Sequence, residues 1–132
     1  MDNLKVPTEA EEQKAFVQYL KAIGEDRFFF IQNEQPIVSH KRNRFAYLNK
    51  IKGMGFKSGM PDMQFLFPKY LTSTTIDYLG LFIEMKSTAK SAKVSTNQKR
   101  MNLYLTELGY KVVTAYGCAE AIKGYESYIN KS

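Results

Sequence analysis

The 132 residues have the length of one ordinary domain, and 44% hydrophobic with 14% aromatic residues suffices for one core. No apolar run approaches the roughly 18 residues of a membrane span, and the opening MDNLKVPTEAEEQ is too polar and acidic for a secretory leader. A lone cysteine, Cys118, excludes an intramolecular disulfide, and the net charge of +6 excludes an acidic chain, so a reducing, cytoplasmic setting is expected.

The charge is unevenly spread. Residues 1–34 carry four Lys or Arg against seven acids, whereas the remainder carries 15 against six. Two stretches hold cations and no acid: 41–57, with Lys41, Arg42, Arg44, Lys50, Lys52 and Lys57, and 86–100, with Lys86, Lys90, Lys93, Lys99 and Arg100. Such clusters suit a polyanion, because phosphate binding releases counterions. A solvated basic surface is the competing reading.

In chain order, Thr8 and Glu11 form a capping-box signature, and an amphipathic helix follows to about Ala22 before Gly24. Its apolar stripe is Phe16, Val17, Leu20 and Ile23. Glu9 and Gln13 continue that stripe, Glu12 lies at its edge, and Glu11 points away. Glu9 is thus aimed at the core edge, although an acid in a first helical turn also suits the helix dipole. RFFFIQN (27–33) has strand composition. HKRNRFAYLNKIKGMG predicts a short basic helix ended by Gly53 and Gly55, and its lone His40 suits phosphate or solvent better than a metal.

Met63–Phe67 predicts a second strand closed by Pro68, and YLTSTTIDYLG a polar excursion. Leu81–Lys86 predicts a third strand. Ser95 starts a helix with Met101, Leu105 and Leu108 on one face, Tyr110–Tyr116 predicts a fourth strand, and AEAIKGYESYI a last helix. Strands 63–67 and 81–86 should pair antiparallel, and a crossover should join 81–86 to 110–116. The expected fold is one α/β domain over 1–132. Tyr19, Tyr104, Tyr125 and Tyr128 fall at helical spacings that favour packing over base stacking.

Alternation along Leu81–Lys86 puts Leu81, Ile83 and Met85 on one face and Phe82, Glu84 and Lys86 on the other. Asp62 follows Pro61 at the mouth of the neighbouring strand, so Asp62 and Glu84 would converge if the strands pair. Two carboxylates and a main-chain carbonyl suit Mg²⁺, and a nearby lysine would orient water or neutralise charge on a phosphate. Taken singly, Glu84 and Lys86 read as a surface ion pair of little energetic weight, and Asp62 as turn chemistry.

The ordered set Gly59-Met60-Pro61-Asp62 and Glu84-Met85-Lys86 resembles the PD-(D/E)XK nuclease signature. Its VRR-NUC branch is resembled through Thr8-Glu9 with Gln13, Ile31-Gln32-Asn33-Glu34, Gly-x-Pro-Asp, and Ser95-x-x-Gln98 after the E-x-K strand. The resemblance spans nearly the whole chain. It implies a restriction-endonuclease-like core, a mixed β-sheet flanked by helices. It also implies a Mg²⁺ or Mn²⁺ site of Asp62, Glu84, the Met85 carbonyl and Glu9, with Lys86 as catalytic lysine and Gln98 near the scissile phosphate.

The catalytic set is then Asp62, Glu84, Lys86, Gln98 and Glu9. Lys41, Arg42, Arg44, Lys57, Ser58, Lys90, Lys93 and Lys99 are the expected nucleic-acid contacts. The family's larger eukaryotic member, the Fanconi-associated nuclease, has accompanying DNA-binding domains that this chain lacks. The chain is more similar to small stand-alone phage and bacterial members, which resemble Holliday-junction resolvases. That likeness implies a homodimer acting on branched DNA, with no membrane partner. Flap or single-strand cleavage, a non-catalytic DNA-binding module, and a protein-interaction domain are the alternatives.

Overall fold

A computed structural model describes residues 5–26, 29–31, 46, 49–50, 52–55, 57–89 and 91–130. Helix α1 (Glu9–Ala22) starts as its sequence predicts. The Thr8 hydroxyl accepts the Glu11 N–H at 3.1 Å, and the Glu11 carboxylate accepts the Thr8 N–H at 3.1 Å. These bonds satisfy donors that a helix start otherwise leaves open. Phe16 and Leu20 are its buried residues.

Strand β1 (Phe29–Ile31) covers the middle of the segment expected over 27–33; Arg27, Phe28, Gln32 and Asn33 lie outside the described residues, as does Glu34. Of the basic helix expected over 40–55, Ala46, Asn49, Lys50, Lys52 and Gly53 are helical, and most of the rest, His40 included, is likewise outside them. Strand β2 (Met63–Phe65) is shorter than the expected 63–67. The Phe67 carbonyl instead accepts the Tyr128 hydroxyl at 2.9 Å, a bond outside the strand ladder.

The polar excursion over 70–80 is a hairpin. Strand β3 (Lys69–Tyr70) pairs antiparallel with β4 (Ile76–Tyr78), with Tyr70 opposite Ile76. The Thr72 hydroxyl accepts the N–H groups of Thr74 and Thr75, closing the turn that TSTT makes. The polar turn masked strand formers on both sides of it.

Strand β5 (Leu81–Lys86) is buried along all six residues. It pairs antiparallel with β2, Met63 opposite Ile83, and parallel with β6 (Lys111–Tyr116), Glu84 opposite Thr114. The order β1-β2-β5-β6 makes the sheet mixed, as expected. Helix α2 (Thr96–Glu107) supplies the crossover between β5 and β6. Helix α3 (Cys118–Ile129) follows β6 after Gly117.

One face of the sheet carries the core. Met63, Phe65, Leu81, Ile83 and Met85 pack against Phe16 and Leu20 of α1 and Ala121, Tyr125 and Tyr128 of α3. Each such apolar side chain contributes about 1.5–3 kcal/mol on burial. Tyr19 is half-buried, and Tyr104 is exposed, unlike the packed residue its spacing suggested. Leu108 caps α2 and is also exposed. Among the described residues no helix is long and apolar enough to cross a membrane.

Glu12 acts across the fold. Its carboxylate accepts the Cys118 N–H at 3.3 Å and thereby caps α3, whose N-cap Gly117 has no side chain to do so. Gly117 has φ 98°, and a Cβ there would lie 2.6 Å from Glu12 Oε2, so only glycine fits. A carboxylate at the edge of one helix stripe thus serves the start of another helix.

Candidate active site

The opposite face of the sheet carries Phe82, Glu84 and Lys86 beneath α2. Phe82 packs edge-on against Tyr110, 5.2 Å between ring centroids. Glu84 is 1% exposed and Lys86 7% exposed. Gln98, in the first turn of α2, stands between them. Its Nε2 donates to Glu84 Oε1 at 2.7 Å, and its Oε1 accepts Lys86 Nζ at 2.9 Å. The surface ion pair that an isolated E-x-K suggests is absent: both groups are buried, and no salt bridge is found among the described residues.

The Gln98 rotamer is held by its own helix start. Its Oε1 also accepts the Ser95 N–H at 2.8 Å, while the Ser95 hydroxyl accepts the Gln98 N–H at 3.1 Å. One capping box therefore positions the amide that links the buried carboxylate and the buried ammonium. Glu84 Oε2 is buried with no hydrogen-bond partner among the described residues.

Asp62 enters from the turn before β2. Its Oδ2 accepts the Met85 N–H at 2.8 Å, which ties the GMPD turn to β5 beside Glu84. Burial, and after it repulsion from Asp62, raises the Glu84 carboxyl to about 7, with Glu9 adding to the rise and Lys86 and the Gln98 bond opposing it. Asp62 is also raised by burial, against the Met85 N–H and Lys86. Glu9 stands at the exposed start of α1, yet partial enclosure of its carboxyl and repulsion from Asp62 raise it too. The three carboxylates thus sense one another and Lys86, although among the described residues no three His, Cys, Asp or Glu side chains gather closely enough to hold a metal ion. A cleft of about 940 Å³ between α1 and β1 is lined by Glu9, Gln13 and Asp62, among others.

The turn before Asp62 is clamped onto α2. Gly59 has φ 89°, and a Cβ there would come 2.6 Å from the Asn97 carbonyl oxygen and 3.0 Å from the Gln98 nitrogen. Asn97 Nδ2 donates to Ser58 Oγ at 3.4 Å. A close approach to a helix backbone explains this glycine. Gly59→Ala should lower stability by about 1–3 kcal/mol, read as a fall in the melting temperature.

Of the expected nucleic-acid contacts, Lys57, Ser58, Lys93 and Lys99 are exposed, and the Ser58–Asn97 bond brings the 57–59 turn to the helix start that bears Gln98 and Lys99. Lys41, Arg42, Arg44 and Lys90 lie outside the described residues. Sequence reasoning missed the roles of Asn97 and Glu12, whose partners are remote in the chain. Gly59 was visible as a glycine, without its reason.

The chain matches no family model and no curated protein. Its structure is similar to a solved structure described as a VRR_NUC domain protein, with a TM-score of 0.71 and 24% sequence identity over 97% of this chain and 93% of that one. The likeness shows the fold: a mixed β-sheet with α1, α2 and α3 packed against it among the described residues, of the restriction-endonuclease-like kind.

Proposed function

We propose that this chain is a metal-dependent, structure-selective DNA endonuclease, a single domain over 1–132 that hydrolyses phosphodiester bonds. The single observation that carries the reading is the buried Glu84–Gln98–Lys86 bridge beside Asp62, with Glu84 Oε2 left unpartnered. A buried carboxylate oxygen with no partner among the described residues costs about 1–3 kcal/mol, a cost that a bound cation would offset. Oxygen donors of this kind suit a hard cation, which would satisfy that oxygen, although the carboxylates would have to draw closer around it. Asp62, Glu84, the Met85 carbonyl and Glu9 are the residues that would hold Mg²⁺ or Mn²⁺. When bound, such an ion supplies Lewis acidity to a phosphoryl oxygen and activates water for attack.

Lys86 binds the phosphate. Its ammonium is nearly buried and its partner is a neutral amide oxygen, so it retains donors for an arriving anion. Gln98 keeps Lys86 and Glu84 at a fixed separation, and Asp62 is oriented by the strand backbone. Lys57, Ser58, Lys93 and Lys99, with Lys41, Arg42, Arg44 and Lys90, would hold the flanking phosphates. The resemblance to stand-alone phage and bacterial members supports four-way junctions as substrate, a homodimer, and work in the cytoplasm of a bacterial or phage-infected cell. Two symmetric sites suit a substrate with two-fold symmetry.

Labelled four-way junctions, flaps and single strands, each incubated with Mg²⁺, Mn²⁺ or EDTA, test the proposal. Cleavage of junctions that stops with EDTA and leaves 5′-phosphate ends is expected. Metal-independent cleavage would overturn it, and preference for flaps would move the substrate to that class. The second reading is a non-catalytic DNA-binding module, favoured by the lack of a three-ligand cluster among the described residues. It predicts salt-sensitive binding without turnover on every substrate.

A further inference from the structure

Helix α2 has two stripes of the same spacing. Gln98, Met101, Asn102 and Leu105 face the sheet and are buried or half-buried. Arg100, Leu103, Tyr104 and Glu107 form the opposite stripe, with Leu103 61% and Tyr104 57% exposed. Leu108, 49% exposed, extends it, and Leu79 joins it through its N–H bond to the Gly109 carbonyl at 2.9 Å. Among the described residues neither Arg100 nor Glu107 has an ion-pair partner. An apolar centre with an unpaired cation at one end and an unpaired acid at the other is complementary to itself when reversed.

We propose that this face is an isologous interface on which a second copy of the chain docks, α2 against α2 in antiparallel register. A two-fold axis between Leu103 and Tyr104 places Leu103 opposite Tyr104 of the other copy. The same axis brings Arg100 opposite Glu107 twice, once at each end, because both pairs are centred on the same point of the helix. DNA suits the stripe poorly, since Glu107 repels phosphate and the apolar centre offers it nothing. The β3–β4 hairpin also exposes Tyr70, Leu71 and Ile76, but lacks this charge pairing.

The inference gives a surface to the dimer in the proposed function and rests on that reading only for its consequence. With about 1.5 Å of rise per residue and 8–10 Å between axes, the two helix starts that carry Gln98 would stand roughly 20 Å apart.

Sedimentation equilibrium of the full chain over a range of concentrations tests the surface, with circular dichroism to verify folding of each variant. The wild-type chain should be a dimer. Arg100→Glu and Glu107→Arg should each weaken it on the order of tenfold or more, by setting like charges opposite each other at both ends. The double variant R100E/E107R should recover dimerisation, which a merely misfolded surface would not. A wild-type monomer at every concentration, single reversals without effect, or no recovery in the double variant would each overturn the proposal. Junction cleavage measured alongside separates the two readings. A monomer that cleaves with metal overturns the surface alone, and a charge-sensitive dimer without turnover overturns the nuclease reading alone.

Discussion

Replacing Glu84 by Gln is expected to abolish metal-dependent cleavage while making the metal-free protein more stable above neutral pH. Activity falls because the amide removes the negative charge from a group read as a metal ligand; a loss on the order of a thousandfold or more is expected. Stability rises because the carboxylate is costly where it sits. Glu84 is 1% exposed, one oxygen is unpartnered, and Asp62 and Glu9 repel its charge.

Its folded value of about 7 stands above the ordinary 4.5. Between those values the unfolded chain has released the proton that the folded chain keeps, so stability declines as pH rises through this window. Below about 4.5 the group costs nothing, and above about 7 the whole cost is present, up to about 3 kcal/mol. Melting temperatures of the metal-free protein should therefore fall from pH 5 to pH 8, and Glu84→Gln should flatten that fall. A wild-type profile that rises over this range, or a variant that cleaves normally, would contradict the assignment.

The second large effect is expected at Lys86. Lys86→Met should reduce kcat by on the order of a hundredfold or more, since the cation that faces the phosphate is lost. Lys86→Arg should fail to restore it. The ammonium is nearly buried and donates to a single amide oxygen of Gln98, a geometry that a planar guanidinium cannot share without displacing the amide. Lys86 also opposes the upward push on Glu84, Asp62 and Glu9. Its removal should move the melting-temperature decline of the metal-free protein to higher pH, because all three carboxylates then hold their protons longer. Unchanged turnover in Lys86→Met, or a decline displaced to lower pH, would remove Lys86 from the site.

Much of the site was legible because its chemistry is written at short range. Period-two alternation in Leu81–Lys86 placed Glu84 and Lys86 together, and β5 has that alternation with both side chains buried under α2. Thr8 with Glu11 and Ser95 with Gln98 marked two helix starts, and both capping boxes form. The convergence of Asp62 on Glu84 was conditional on strand pairing, and β2 does pair with β5. The hairpin of β3 and β4 was obscured because the polar TSTT turn dominates its composition.

By itself, then, the sequence determined two helix starts, the order of the four strands of the main sheet, the antiparallel and parallel pairings of β5, and which side chains of β5 share a face. These follow from backbone geometry over a few residues, where spacing alone decides direction. Only the tertiary structure decided that Gln98 stands between Glu84 and Lys86, that Gly59 lies against the Asn97 carbonyl, and that Glu12 caps α3. The raised Glu84 carboxyl was likewise decided there. Desolvation and pairing of a polar group depend on which remote elements cover it, and no local pattern encodes partners that the chain brings together only by folding.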